Sequence, residues 1–123
     1  MNARKGIALD GEKFDRLGLE ELVKITNKIG LEYVDAKKNS EYYDLMKASV
    51  RAKIMMRLDD GSMSEAKLRR LTEIDAEYIS FLEKLTEARR QSERLRVRYE
   101  SYKNLFEARR SLLSYQKAEL KLI

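Results

Sequence analysis

Two groups of side chains in this sequence have the types and spacing to do chemistry. Arg51, Lys53 and Arg57 precede the segment Asp59-Asp60-Gly61-Ser62, and Lys67, Arg69 and Arg70 follow it. A chain reversal at Gly61 draws these six cations toward one tip. Set against Asp59, Asp60 and Glu65 they could neutralise several phosphates, with Met55 and Met56 as adaptable apolar surface beside them. A solvated helix end with ordinary ion pairs uses the same residue types, because cations near a helix C-terminus are favoured by its dipole. The second group lies in residues 86–123, which hold ten basic residues against five Glu and account for the whole net charge of +5. Arg94, Arg96 and Arg98 alternate there with Leu95 and Val97, and Tyr99, Tyr102, Phe106 and Tyr115 are interleaved with cations. Guanidinium groups fork onto phosphates and rings stack on the bases of single strands. The same rings fall on a helical stripe, where they serve equally well as core or interface. Arg89, Arg90, Arg109 and Arg110 suit outward charge or interhelical partners for Glu87 and Glu107.

Other chemistries have no residues to run on. The chain lacks Cys, His, Pro and Trp, which removes disulfides, thiolate and imidazole metal sites and every nucleophile that depends on Cys or His. Glu20, Glu21, Glu32, Glu73, Glu77 and Asp75 could face one another in a bundle, but a di-metal bundle requires Glu-x-x-His pairs. Residues 59–65 lack the alternating ligands of a calcium loop, and there is no glycine-rich phosphate cradle. The sequence therefore predicts no catalytic residues, no metal and no cofactor. It contains neither a run of 18 apolar residues nor the short apolar core of a secretory leader.

These groups must be positioned by helices. At 38% charged residues and a mean hydropathy of −0.61 the chain is polar, but charges of both signs mix and apolar residues recur at helical spacing, unlike a disordered tail. Gly6, Gly11 and Gly18 make residues 1–18 an irregular arm, with Leu9, Phe14 and Leu17 able to dock. Residues 19–123 form a single helical domain. Leu22, Ile25, Ile29, Tyr33, Ala36, Tyr43, Met46, Val50 and Ile54 advance by threes and fours, predicting a helix over 19–58. Gly30 and Asn39-Ser40 are its weak points, where a bend is expected. A turn over 59–62 follows, and Ser62 with Glu65 matches a capping box. A helix, whole or broken near Arg89 to Ser92, then runs over 63–122.

From Leu85 to Leu120 the stripe of this second helix alternates three and four, a heptad signal interrupted by Ser92, Arg109 and Gln116. Unbroken, it would be roughly 85 Å long, more than the first helix can cover. The expectation is an all-α long helical hairpin with a coiled-coil-like C-terminal helix, oligomeric through Leu95, Tyr99, Tyr102, Phe106, Leu113 and Leu120.

The order of features resembles the UvsY-type phage recombination mediators. The likeness rests on Lys53-Ile54-Met55-Met56-Arg57-Leu58-Asp59 before a glycine-containing turn, on Ser64-Glu65-Ala66-Lys67 and Leu71-Thr72-Glu73-Ile74-Asp75 after it, and on the aromatic, Leu and Arg residues of 102–113. In that family a Lys-x-Arg-Leu motif ending the first long helix contributes to single-stranded DNA binding. Arg57-Leu58 matches its second half, Met55 stands at the Lys position, and Lys53 lies one turn back. The resemblance implies a ring-like homo-oligomer that binds single-stranded DNA, displaces a single-strand-binding protein and helps load a RecA-like recombinase, in the cytoplasm of a bacterial or phage-infected cell. Attachment to a membrane surface is not expected, since the apolar stripe is narrow and lacks Trp. The alternative is a non-enzymatic coiled-coil assembly or inhibitor protein that binds another protein through its Arg-rich C-terminal helix.

Overall fold

The computed structural model describes residues 18–122, so the expected arm over 1–18, with Leu9, Phe14 and Leu17, lies outside the described residues apart from Gly18. Among the described residues the chain is all-helical, a long helical hairpin of α1 (Leu19–Leu58), α2 (Glu65–Glu73) and α3 (Ala76–Leu122). Glu20 and Glu21 open α1 and Arg57 closes it, each sign matching the dipole end it occupies. The helix continues through Gly30 and through Asn39-Ser40, so neither weak point breaks it.

The turn differs from the sequence expectation. The cap of the next helix is Ser64, whose side chain accepts from the Lys67 N–H at 3.2 Å. Ser62 is already engaged, donating both its N–H (2.9 Å) and its hydroxyl (2.7 Å) to Asp60 Oδ1. Gly61 adopts φ +83°, a left-handed conformation that glycine enters without a Cβ penalty, and its N–H donates to Asp59 Oδ1 at 2.9 Å. The helix expected over 63–122 is broken, but at Ile74-Asp75 rather than near Arg89 to Ser92. There Asp75 Oδ1 accepts from the N–H groups of Glu77 (3.0 Å) and Tyr78 (3.4 Å) and so caps α3. Ile74, placed on the apolar stripe by its spacing, is 70% exposed at this corner.

The chain divides into two compact units. Residues 32–95 contain the turn. Rising numbers in α3 meet falling numbers in α1, as Asp75 with Arg57 and Arg89 with Asp44 show, so the two run antiparallel. Ile54, Leu68, Tyr78, Leu85 and Ala88 are buried here with Ser40 and Thr72, and the rings of Tyr43 and Phe81 lie 5.8 Å apart. Thr72 is fully buried yet satisfied, its hydroxyl donating to Leu68 O at 2.8 Å. The other unit joins the start of α1 to α3 from Arg96 onward, around the buried Leu22 and Ile29. A Cβ added at Gly30 would stand 3.0 Å from Tyr99 Cε1. The glycine therefore serves close approach of a ring to the α1 backbone, not flexibility.

Candidate nucleic-acid interface

The six cations expected at the tip all belong to the unit of residues 32–95, at the end of α1 and in α2. Folding gives three of them acidic partners. Arg57 Nη2 lies 2.7 Å from Asp75 Oδ2 and 3.5 Å from Glu77 Oε2. Arg51 Nη2 lies 3.8 Å from Glu73 Oε1, and Arg69 pairs with Glu65 one turn back at 3.6 Å. Lys53, Lys67 and Arg70 are exposed and have no ion pair with a described residue.

Arg57 carries the most structural consequence. One oxygen of Asp75 caps α3 while the other receives the guanidinium from the end of α1, so a single carboxylate ties the two long helices together. The bond from Arg57 holds the Asp75 carboxyl below the usual carboxylate range, helped by the backbone donors of Glu77 and Tyr78 against the cost of burial. The same bond and charge raise the Arg57 guanidinium. Asp60 is likewise lowered, chiefly by the hydroxyl and N–H of Ser62. The sequence exposed the cations of the tip but not their acids, because Glu73, Asp75 and Glu77 lie 18 to 22 positions away from the arginines they pair with.

The basic C-terminal segment is less neutralised. Arg96 pairs with Glu100 at 3.0 Å, while Lys103, Arg110, Lys117 and Lys121 are exposed without an ion pair to a described residue. Steps of seven, seven and four along a helix place these four in one row about 27 Å long. Every residue from Arg110 to Leu122 is exposed, including Tyr115 at 63%. This row was not singled out in the sequence, although its helical register was available there.

The six residues expected to drive oligomerisation separate into two groups. Leu95, Tyr99, Tyr102 and Phe106 are half-buried within the chain, and Leu113 and Leu120 are exposed. Among the described residues there is no cluster of acidic side chains that could hold a metal ion, and no helix is long and apolar enough to cross a membrane. No protein-family model matches the chain, and no curated protein and no solved structure is significantly similar to it.

Proposed function

We propose that this protein is a single-stranded DNA-binding accessory of homologous recombination, a self-associating helical module that helps load a RecA-like recombinase by loosening a single-strand-binding protein. The observation that carries the DNA reading is the row Lys103, Arg110, Lys117 and Lys121, exposed and without an acidic partner among the described residues. Such a row meets a phosphate backbone without reading base edges. Lys53, Lys67 and Arg70 add charge at the tip, whereas Arg57 holds the turn together. Recombinase loading comes from the UvsY-type resemblance; a module of this kind needs no bond chemistry, because several weak sites on one assembly act by avidity.

Anisotropy titrations of labelled oligo(dT) and a matched duplex at several salt concentrations test the reading. The expected result is preference for the single strand with a steep loss of affinity in salt. Weak binding to both at low salt overturns it. The exposed Leu112, Leu113, Leu120 and Leu122 among these cations favour a second reading, in which this segment binds an acidic surface on another protein. Tight binding to such a protein, with indifference to DNA length, would be its signature.

A further inference from the structure

The turn between α1 and α2 contains two neighbouring residues that can react with each other. Where glycine follows aspartate, the glycine amide nitrogen, unhindered by a side chain, can attack Cγ of the aspartate. A C–N bond forms, the carboxyl hydroxyl leaves with the amide proton as water, and a five-membered succinimide closes. Water then adds back at one of the two ring carbonyls. Addition at the former main-chain carbonyl breaks its bond to nitrogen and leaves an isoaspartyl linkage, in which the chain runs through Cγ and is one methylene longer. No co-reactant other than water takes part, and the composition ends unchanged.

The sequence contains this pair at Asp10-Gly11 and at Asp60-Gly61. Asp10-Gly11 lies outside the described residues. Asp60 and Gly61 are both exposed, and a Cβ built on Gly61 would meet nothing within 4 Å, so burial does not shield the pair. Nor can the glycine be exchanged freely, since its φ of +83° is a conformation that other residues rarely adopt. The residue that lets the chain turn is thus the one that makes the bond reactive.

We propose that the hydrogen bonds of this turn hold Asp60-Gly61 as a dormant isomerisation site, with Asp59 restraining the nucleophile and Ser62 the electrophile. The attacking species is the deprotonated amide. In the folded turn the Gly61 N–H donates to Asp59 Oδ1 at 2.9 Å, so removing its proton breaks a charge-assisted bond and leaves an anion facing a carboxylate. On the other side, departure of the hydroxyl requires Asp60 in its neutral, protonated form. Ser62 donates both its N–H (2.9 Å) and its hydroxyl (2.7 Å) to Asp60 Oδ1, and donors to a carboxylate favour its charged form. The Asp60 carboxyl is accordingly held below the usual carboxylate range, first by the Ser62 hydroxyl and then by its N–H, with the charge of Lys67 a smaller contribution. Without the fold neither restraint is fixed in place. A single hydrogen bond present in the folded turn and lost in the attacking form slows the step about five- to tenfold.

The test incubates the full chain at mildly acidic pH beside a synthetic peptide of residues 58–67 in the same buffer, following isoaspartate by enzymatic methylation and by mass spectrometry. Cleavage after Arg57 and Lys67 releases the same residues from the protein, so Asp60-Gly61 is read apart from Asp10-Gly11. Isoaspartate at position 60 should accumulate about five- to tenfold more slowly in the folded chain than in the peptide. Asp59 is exposed, so Asp59→Ala keeps the helical circular dichroism; it should bring the folded rate toward that of the peptide while leaving the rate of the matching variant peptide unchanged. Ser62→Ala, which removes the larger hold on the Asp60 carboxyl, should also raise the folded rate. Equal rates in the folded chain and the peptide overturn the proposal. A folded rate that neither Asp59→Ala nor Ser62→Ala changes overturns it as well, because the restraint would then lie outside these bonds.

Discussion

Replacing Arg110 and Lys117 together by alanine should halve the salt sensitivity of single-stranded DNA binding without changing the fold. Both side chains are exposed and neither has an ion pair with a described residue, so their loss leaves no buried acid unpaired. Each phosphate neutralised on a single strand contributes about −0.7 to the slope of log K against log salt. If all four cations of the row reach phosphates, the slope is about −2.8 per protomer and falls to about −1.4 in the variant. Between 50 and 200 mM salt the wild type then loses roughly fiftyfold in affinity and the variant roughly sevenfold. Anisotropy of labelled oligo(dT) over that salt range reads both slopes, with circular dichroism as the folding control. An unchanged slope removes the row from the DNA interface. If Lys53→Ala, Lys67→Ala and Arg70→Ala reduce the slope instead, the strand lies at the tip and the assignment of α3 is wrong.

Three further perturbations probe the scaffold. Gly30→Ala gains about 1 kcal/mol of helix propensity but drives a methyl against Tyr99, and overpacking costs about 1–3 kcal/mol. Urea denaturation should therefore show a net loss of up to about 2 kcal/mol, and the sign should reverse in a Tyr99→Leu background; a wild-type-background gain would show that the ring simply moves aside. The lowered carboxyl of Asp75 contributes stability above the ordinary Asp range, and that stability is lost as pH falls through its depressed folded-state value. Urea midpoints followed downward from pH 5 should thus fall less steeply in Asp75→Asn than in wild type, and parallel curves would contradict the coupling to Arg57. Ser64→Ala removes the cap of α2 and should cost about 1 kcal/mol in thermal unfolding, whereas Ser62→Ala, whose partner Asp60 is an exposed turn residue, should cost less.

The helical hairpin was legible because its signals are local. Apolar residues from Leu22 to Ile54 repeat at helical spacing, and Asp59-Asp60-Gly61 supplies the turn. Competition between equivalent local signals hid the rest. Ser62-x-x-Glu65 is a better capping box on paper than Ser64-x-x-Lys67, but Asp60 takes both donors of Ser62 and leaves the cap to Ser64. The break at Ile74-Asp75 is invisible to periodicity, because Leu71, Ile74 and Tyr78 keep their spacing across it. What betrays the break is an Asp that caps the next helix. Gly30 read as a helix weakness because its neighbour Tyr99 lies 69 positions away in sequence.

The cations divide by the same logic into those that build the fold and those free to act on something else. Arg51 and Arg57 sit beside Glu73 and Asp75 once the chain turns back, and a charge held by a fixed carboxylate must be released before it can serve a phosphate. This is why Arg57 points to closure of the tip, and why exposed cations without an acidic partner among the described residues better indicate where an anion is met. The apolar residues divide similarly. Leu95, Tyr99, Tyr102 and Phe106 are half-buried within the chain, so offering their full surface to a second copy requires the hairpin to open. Leu45, Tyr42 and Met56 are presented without any such cost.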